Sequence, residues 1–404
     1  MKQVSNMVNK PTGNNRYLKK LNQASIMELI RINGKLSRKE LSDLTGLSPT
    51  ACGNITRKLI EDGFLHETGQ GESTGGRKPV MLEIRPDSYY AAGFDIGMTK
   101  LQVVVADISS RIIIEKTTEY ELGISVEEAI MLADKQLTEI IKKQKINRKK
   151  FLGCAFSVPG LVDRNTDKII MAPNLSWNHV DLSAKASEIL KMPVYIENEA
   201  MCSAICEHWI GKCRNMGNFV CINVESGIGA GIFINGALFR GAGGSAGEIG
   251  HLVVDENGRA CGCGNNGCLE TYASVRYMLL RANEKISEGY SSKYVKPGKQ
   301  IEWDELVEYA RKGDSLCLDI LRDSAKYLGC AAAYIINTLN PEAVVIGKCF
   351  KQYSSLVMDV LVETAMKKAL PYPASKAAIM VSDYGLNSSA LGAAMIPIRK
   401  VFGK

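Results

Sequence analysis

One pattern constrains the fold of this chain more than any other, and it occurs twice. Phe94-Asp95-Ile96 leads through Gly97-Met98-Thr99-Lys100 into Leu101–Asp107: a strand, a tight turn and a second strand. Phe219–Val224 leads through Glu225-Ser226-Gly227-Ile228-Gly229-Ala230-Gly231 into Ile232–Ile234 in the same way. A glycine turn flanked by Thr and Lys can set backbone N–H groups around a phosphate. One such turn is a weak signal. Two of them, each between apolar strands, imply a duplicated α/β architecture with a cleft between its halves. At 404 residues the chain exceeds a single domain of about 100–200 residues, so roughly three units are expected.

The segment before the first turn reads differently. Asn22 to Asn33 carries Ile26, Leu29, Ile30 and Ile32 at helical spacing. Ser37-Arg38-Lys39-Glu40 is a capping box, opening a short helix with Leu41 and Leu44 that stops at Gly46. Ser48-Pro49 opens a third helix that ends before Gly63, with Ala51, Ile55, Leu59 and Ile60 as its inward face. A short helix, a Gly-containing turn and a longer helix make a helix-turn-helix. The last helix is expected to present Ser48, Thr50, Asn54, Thr56, Arg57 and Lys58, side chains of the kinds that read base edges and hold phosphates. Phe64–Glu67 and Val80–Ile84 then read as two strands around a Gly-rich wing that carries Arg77 and Lys78 toward DNA, with Arg77 placed to enter a narrow minor groove. Charge agrees: residues 1–90 hold 14 Lys/Arg against 9 Asp/Glu, and the remainder is nearly balanced. The competing reading is a small helical domain for protein contacts.

His251, Cys261, Cys263 and Cys268 give the strongest local signal, with spacing H-x9-C-x-C-x4-C in a Gly-rich stretch. Three thiolates and one imidazole suit tetrahedral Zn²⁺, and four protein ligands mark a structural rather than a catalytic ion. The bland alternative is four unrelated residues in a loop. Cys202, Cys206 and Cys213 near His208 also cluster in sequence, but among apolar residues, and are read as core.

No stretch approaches the about 18 uninterrupted apolar residues of a membrane span, and Met1–Asn6 lacks the apolar core of a signal peptide. A cytoplasmic protein with free thiols is expected. Val126–Lys143 and Ile301–Leu328, broken at Gly313, read as helices, with Tyr290–Gln300 as a linker. Trp177 offers either an apolar face to a ligand or a core side chain.

Residues 20–85 resemble the winged helix-turn-helix of the ROK family (repressors, open reading frames, kinases), and the rest of the chain extends the likeness over nearly its full length. Within that family it is most similar to the xylose repressors of Gram-positive bacteria. The resemblance implies a winged helix-turn-helix at 1–88 and a two-lobed, actin-like α/β body of the sugar-kinase type. The first lobe would be 89–200, and the second, with the zinc loop and dimerisation helices, 201–404. It also implies that Glu248, His251 and Glu270 join Asn198, Glu199 and, from the Ala172–Trp177 loop, Asn174 in holding sugar hydroxyls.

Three positions depart from the family's kinases. Met98 stands where a second turn glycine is usual, and Lys348 follows Gly347 where two glycines usually end a nucleotide-side strand. Glu199, in Asn198-Glu199-Ala200, replaces the Asp that acts as general base. A base works within about 2.6–3.2 Å of its proton, and a displacement near 1 Å costs roughly 100-fold. Sugar binding is therefore expected to survive and phosphoryl transfer to fade. The expectation is a non-enzymatic, sugar-responsive repressor, a homodimer or higher oligomer on a palindromic double-stranded operator. Its effector is a monosaccharide, with xylose first and glucose or an N-acetylhexosamine next. The alternatives are an active ATP-dependent sugar kinase that also binds DNA, and a docking protein.

Overall fold

A computed structural model of the chain describes residues 15–71, 78–163, 166–290, 292–295 and 299–404. The N-terminal stretch Met1–Asn6, the wing tip with Arg77 and part of the 290–300 linker lie outside the described residues.

The N-terminal domain runs α1 (Asn15–Asn33), β1 (Leu36–Ser37), α2 (Arg38–Thr45), α3 (Pro49–Glu61), β2 (Leu65–Gln70) and β3 (Val80–Ile84). Its caps are those read from the sequence. The Ser37 side chain accepts from the Glu40 backbone N–H, and Glu40 accepts from that of Ser37. Gly46 ends α2 at φ 69°, and the Ser48 side chain caps α3. The three strands pair antiparallel in the order β1-β3-β2, forming the wing. Three details differ. Helix α1 begins at Asn15 rather than Asn22, and Ile32 is exposed on it. The inward face of α3 is Cys52, Ile55, Thr56 and Leu59, so Ala51 and Ile60 are only half-buried and Thr56 is not presented to solvent. Burial of Thr56 is tolerated because its hydroxyl donates to the Cys52 carbonyl at 2.9 Å and accepts from Arg38 Nε at 3.3 Å.

The first lobe holds β4 (Tyr90–Ile96), β5 (Lys100–Asp107), β6 (Ile112–Glu119), α4 (Val126–Gln144), β7 (Phe151–Val158), β8 (Leu161–Asp163), β9 (Lys168–Ala172), β10 (Trp177–Val180), α5 (Leu182–Leu190) and β11 (Val194–Asn198). Helix α6 (Glu199–Trp209) follows. The second lobe holds β12 (Phe219–Val224), β13 (Ile228–Ile234), β14 (Ala237–Phe239), α7 (Glu270–Ala273), α8 (Val275–Ser287), α9 (Trp303–Arg311), α10 (Ser315–Leu339), β15 (Ala343–Lys348), α11 (Phe350–Lys368), α12 (Pro371–Ala374) and β16 (Ala378–Val381). Helix α13 (Ser388–Val401) closes the chain.

The two sheets repeat one topology. The first is ordered β11-β7-β4-β5-β6 and the second β16-β15-β12-β13-β14. In each, a three-stranded antiparallel meander is extended by two parallel strands on the side of its first strand. The duplication implied by the two glycine turns is thus a duplication of whole sheets. Only Glu225–Gly227 form the second turn, however. Gly229 and Gly231 lie inside β13, and a Cβ on Gly231 would stand 2.4 Å from the Ala204 Cβ and 2.5 Å from the Ala200 carbonyl. These glycines let α6 lie directly on the sheet.

Helix α10 continues past Leu328 to Leu339, because Gly329 is a packing residue and not a stop: its Cβ would meet the Leu361 carbonyl of α11 at 2.6 Å. Helix α13 packs across β4, β5 and β7 of the first sheet as well as on α6. A boundary at residue 200 therefore separates α13 from the sheet it covers. No helix among the described residues is long and apolar enough to cross a membrane.

Candidate functional site

Both glycine turns open onto one cleft between the lobes. Its volume is about 300 Å³, near the lower end of small-molecule sites, which run about 300–1,000 Å³. Asp95, Lys100, Asn174, Glu199, Glu225 and Trp303 are among its walls. A larger hollow of about 470 Å³ between α8, α10 and α11 is lined by Arg281, Asp319, Arg322 and Asp323. Neither turn reaches it, and Arg281 already pairs there with Asp323.

A buried ion network closes the turn end of the cleft. Lys348 ends the apolar strand β15 at φ 58°, in the left-handed region that favours glycine, and is 1 % exposed. Its Nζ lies 3.0 Å from Asp95 Oδ2, 3.3 Å from Glu225 Oε2 and 3.5 Å from the Leu386 carbonyl. Asp95 is steadied by Ser157, whose hydroxyl donates to Oδ1 at 2.6 Å. Lys100 approaches Glu225 Oε1 at 3.7 Å. Asp95 and Lys100 belong to the first lobe, Glu225 and Lys348 to the second. Burial works against the Lys348 charge, but Asp95, Glu225 and Glu199 more than offset it and hold its proton above the usual lysine range. Burial likewise opposes ionisation of Glu225, and Lys348 with Lys100 overcomes it, so this carboxyl stays below its ordinary value.

Glu199 begins α6 and faces the same cleft. Burial pushes its carboxyl up to about 8; Glu225, Asp95 and Glu248 add to the rise, and Lys348 opposes it. Burial thus favours the protonated form of Glu199, which can donate as well as accept a hydrogen bond. Asn174 is exposed and also lines the cleft. Asn198 is half-committed to structure: Oδ1 accepts from Ala200 and Met201 N–H at 2.8 and 3.2 Å, and Nδ2 donates to Gly160. Glu248, His251 and Glu270 do not line the 300 Å³ cavity; they form an adjoining rim. Glu270 Oε1 accepts from the Cys261 thiol at 3.2 Å, while Oε2 lies 3.2 Å from where a Gly227 Cβ would be. Trp177 is core, 5 % exposed, its indole N–H donating to Ile124.

The donor atoms of His251, Cys261, Cys263 and Cys268 all lie within 4.8 Å of one another. Cys263 and Cys268 Sγ are 3.6 Å apart, and Cys261 Sγ is 3.7 Å from His251 Nδ1. A tetrahedral ion with Zn–S bonds of about 2.3 Å separates its sulfurs by about 3.8 Å, so the group fits a metal of that kind. No second such group occurs among the described residues. Cys202, Cys206 and Cys213 are buried thiols, which burial pushes up.

On the N-terminal domain, Ser48, Thr50, Asn54, Arg57 and Lys58 are exposed on α3, and Lys78 is exposed beside the wing. Ser48 Oγ accepts from the Ala51 N–H, Arg57 donates to Asn54 Oδ1 at 3.4 Å, and Lys58 pairs with Asp62 at 2.8 Å. Arg57 is thus freer for a phosphate or a base than Lys58.

In sequence Lys348 shows only as a residue standing where glycine is usual, and nothing local assigns Asp95, Lys100 or Glu225 to a site. The available signal is two charged residues, Asp95 within one apolar strand and Lys348 at the end of another.

Residues 91–400 match the family model described as the ROK family, and residues 21–65 match that of a winged helix-turn-helix DNA-binding domain. The xylose repressor of Caldicellulosiruptor bescii is 31% identical over 359 residues, covering 88% of this chain and 90% of its own. A crystal structure of a ROK family transcriptional regulator, a homologue of the E. coli MLC protein, superposes with a TM-score of 0.84 at 25% identity and covers 95% of this chain and 97% of its own. A ROK family glucokinase from Streptomyces griseus, solved with glucose and AMPPNP, gives a TM-score of 0.63 at 26% identity, covering 76% of this chain and 98% of its own. It leaves about a quarter of this chain unmatched, whereas the regulator matches nearly all of it. This chain is a member of the ROK family with a winged helix-turn-helix at its N-terminus.

Proposed function

We propose that the chain is a transcriptional repressor that holds an operator through α3 and the wing and releases it when a monosaccharide occupies the inter-lobe cleft. Lys348 carries this reading against the kinase alternative. Its ammonium stands between the two glycine turns with Asp95 and Glu225 as counter-ions, where a nucleotide's phosphates and their cation would need the same carboxylates and the same space. The positive charge Lys348 could offer a phosphate is already neutralised by two carboxylates of the protein. A neutral Glu199 suits a sugar hydroxyl as a hydrogen-bond partner.

Xylose is the first candidate effector, by likeness to the xylose repressor at 31% identity; glucose and N-acetylhexosamines come next. Asn174 and Glu199 would hold hydroxyls in the cleft, with Asn198, Glu248, His251 and Glu270 contributing from the rim. His251 Nδ1, Cys261, Cys263 and Cys268 would hold Zn²⁺, which as a four-ligand ion fixes the 251–270 loop and takes no part in chemistry. Arg57, Asn54 and Thr50 would reach base edges, Arg77 would enter the minor groove, and Ser48, Lys58 and Lys78 would contact the phosphate backbone. A homodimer would place two such helices on a palindrome.

A calorimetric panel of pentoses, hexoses and N-acetylhexosamines, run beside a coupled assay for ADP release, tests the reading. Saturable binding of one sugar without turnover is expected. Turnover at ordinary kinase rates, about 1–100 s⁻¹, would overturn it.

A further inference from the structure

Helix α6 has one end in the cleft and the other against the DNA-binding domain. Its 11 residues span about 16 Å at 1.5 Å per residue. Glu199, its first residue, lines the cleft. Trp209, its last, is 2 % exposed, and its indole N–H donates to Ser110 at 2.9 Å. The Arg31 guanidinium, in the last turn of α1, lies over the Trp209 ring at 4.0 Å from its centroid. Arg31 is oriented by two hydrogen bonds to Glu28, at 2.7 and 3.0 Å. Phe402, just past α13, meets the same indole edge-on at 5.4 Å.

Between its ends α6 is gripped on two sides by backbone. The Gly231 position meets the Ala200 carbonyl at 2.5 Å, and the Gly392 position of α13 meets the Cys202 carbonyl at 1.7 Å, each measured from the Cβ a larger residue would carry. Ser203 Oγ shares hydrogen bonds of 2.9 Å with Ser388 and Ser389, and accepts one from Asn223 Nδ2 at 2.9 Å. A helix held this way has no slack along its length, and packed interiors shift between discrete arrangements rather than deform. A rotation imposed at Glu199 therefore reappears at Trp209. The apolar core does not end there: Ile26, Met27 and Ile30 of α1 share one buried cluster with Ile205, Cys206 and Trp209 of α6.

We propose that α6 is the rigid rod that couples the cleft to the DNA-binding domain, with the Arg31–Trp209 stack as its output contact. This rests on the reading that a sugar binds at the Glu199 end. Allosteric coupling of this kind is ordinarily worth about 5- to 150-fold in affinity.

The test uses the full chain, a duplex obtained by selection from a random pool, and D-xylose, with glucose and N-acetylglucosamine as further arms. Three quantities are read for the wild type, Arg31→Met and Trp209→Phe: sugar affinity, duplex affinity without sugar, and duplex affinity at saturating sugar. Arg31→Met alters a partly exposed side chain and keeps the test open if Trp209→Phe fails to fold. The expected result is a wild-type ratio of duplex affinities in the range above, falling at least about fivefold or to unity in Arg31→Met, with sugar affinity within about twofold of wild type. Variants that keep the wild-type ratio overturn the rod alone. A wild type that binds sugar with no change in duplex affinity overturns the repressor reading, and the rod with it.

Discussion

Replacing Lys348 by Met removes one cation from a cluster that needs it. At 3.0 and 3.3 Å and an effective dielectric of about 20, each attraction is about 5 kcal/mol before desolvation is counted. Leaving buried carboxylates without their counter-charge costs about 3–5 kcal/mol net. Lys348→Gly should cost about 1–2 kcal/mol less, since it relieves the left-handed backbone at φ 58°. Adding Asp95→Asn to Lys348→Met should recover about half the loss, because Glu225 retains Lys100 at 3.7 Å. The pH dependence follows from the shifts. The proton on Lys348 is held above its ordinary value of 10.5, so its contribution is full below that value and is lost only as pH rises through the raised one. Glu225 is held below its ordinary 4.5, so its contribution is present above 4.5 and is lost as pH falls through the lowered value. Both are in force at pH 7. In Lys348→Met, Glu225 loses the main partner that opposes its burial and takes up a proton more readily in acid, so the gap to wild type narrows toward pH 5. Urea unfolding at pH 7 and pH 5, followed by tryptophan fluorescence, measures this. A loss under about 1 kcal/mol, equal at both pH values, would refute the assignment of Lys348 as the cluster's counter-ion.

Three further outcomes are expected. Sugar affinity of the wild type should change as pH rises through about 8, where Glu199 ionises, while Glu199→Gln, fixed in the neutral form, shows no such inflection by calorimetry; identical profiles would sink the Glu199 assignment. Elemental analysis should find one zinc per chain, lost in Cys261→Ser together with protection of the 251–270 loop in hydrogen exchange; an unchanged metal content would exclude the cluster. Arg57→Ala should weaken duplex binding by about 1–3 kcal/mol and Lys58→Ala by less, since Asp62 already holds Lys58; the reverse order, measured at one fixed salt concentration, would contradict the surface described for α3.

What the sequence disclosed was mostly local. Caps at Ser37 and Ser48 need only neighbouring residues, so α2 and α3 were legible, and the wing followed from two short strands with glycines between them. The duplicated sheets were legible because each half repeats its own turn. What failed depended on distant partners. Thr56 is polar and reads as exposed, but Arg38 and the Cys52 carbonyl satisfy it inside. The last helix, α13, returns to the first sheet, and nothing local in Ser388–Val401 says so. At the candidate site, the metal cluster announced itself by spacing, and Glu199 by its place in Asn198-Glu199-Ala200. Lys348 was visible as a substitution, but its meaning lay in Asp95, 253 positions away in sequence.

The most direct test of the account is the affinity of the full-length chain for a selected operator duplex, measured by fluorescence anisotropy with and without D-xylose and then across other monosaccharides. One sugar is expected to raise the duplex dissociation constant by at least about fivefold, with no ADP-forming turnover accompanying the change. An affinity that stays the same across the whole panel, or a sugar that is phosphorylated at kinase rates, would contradict it.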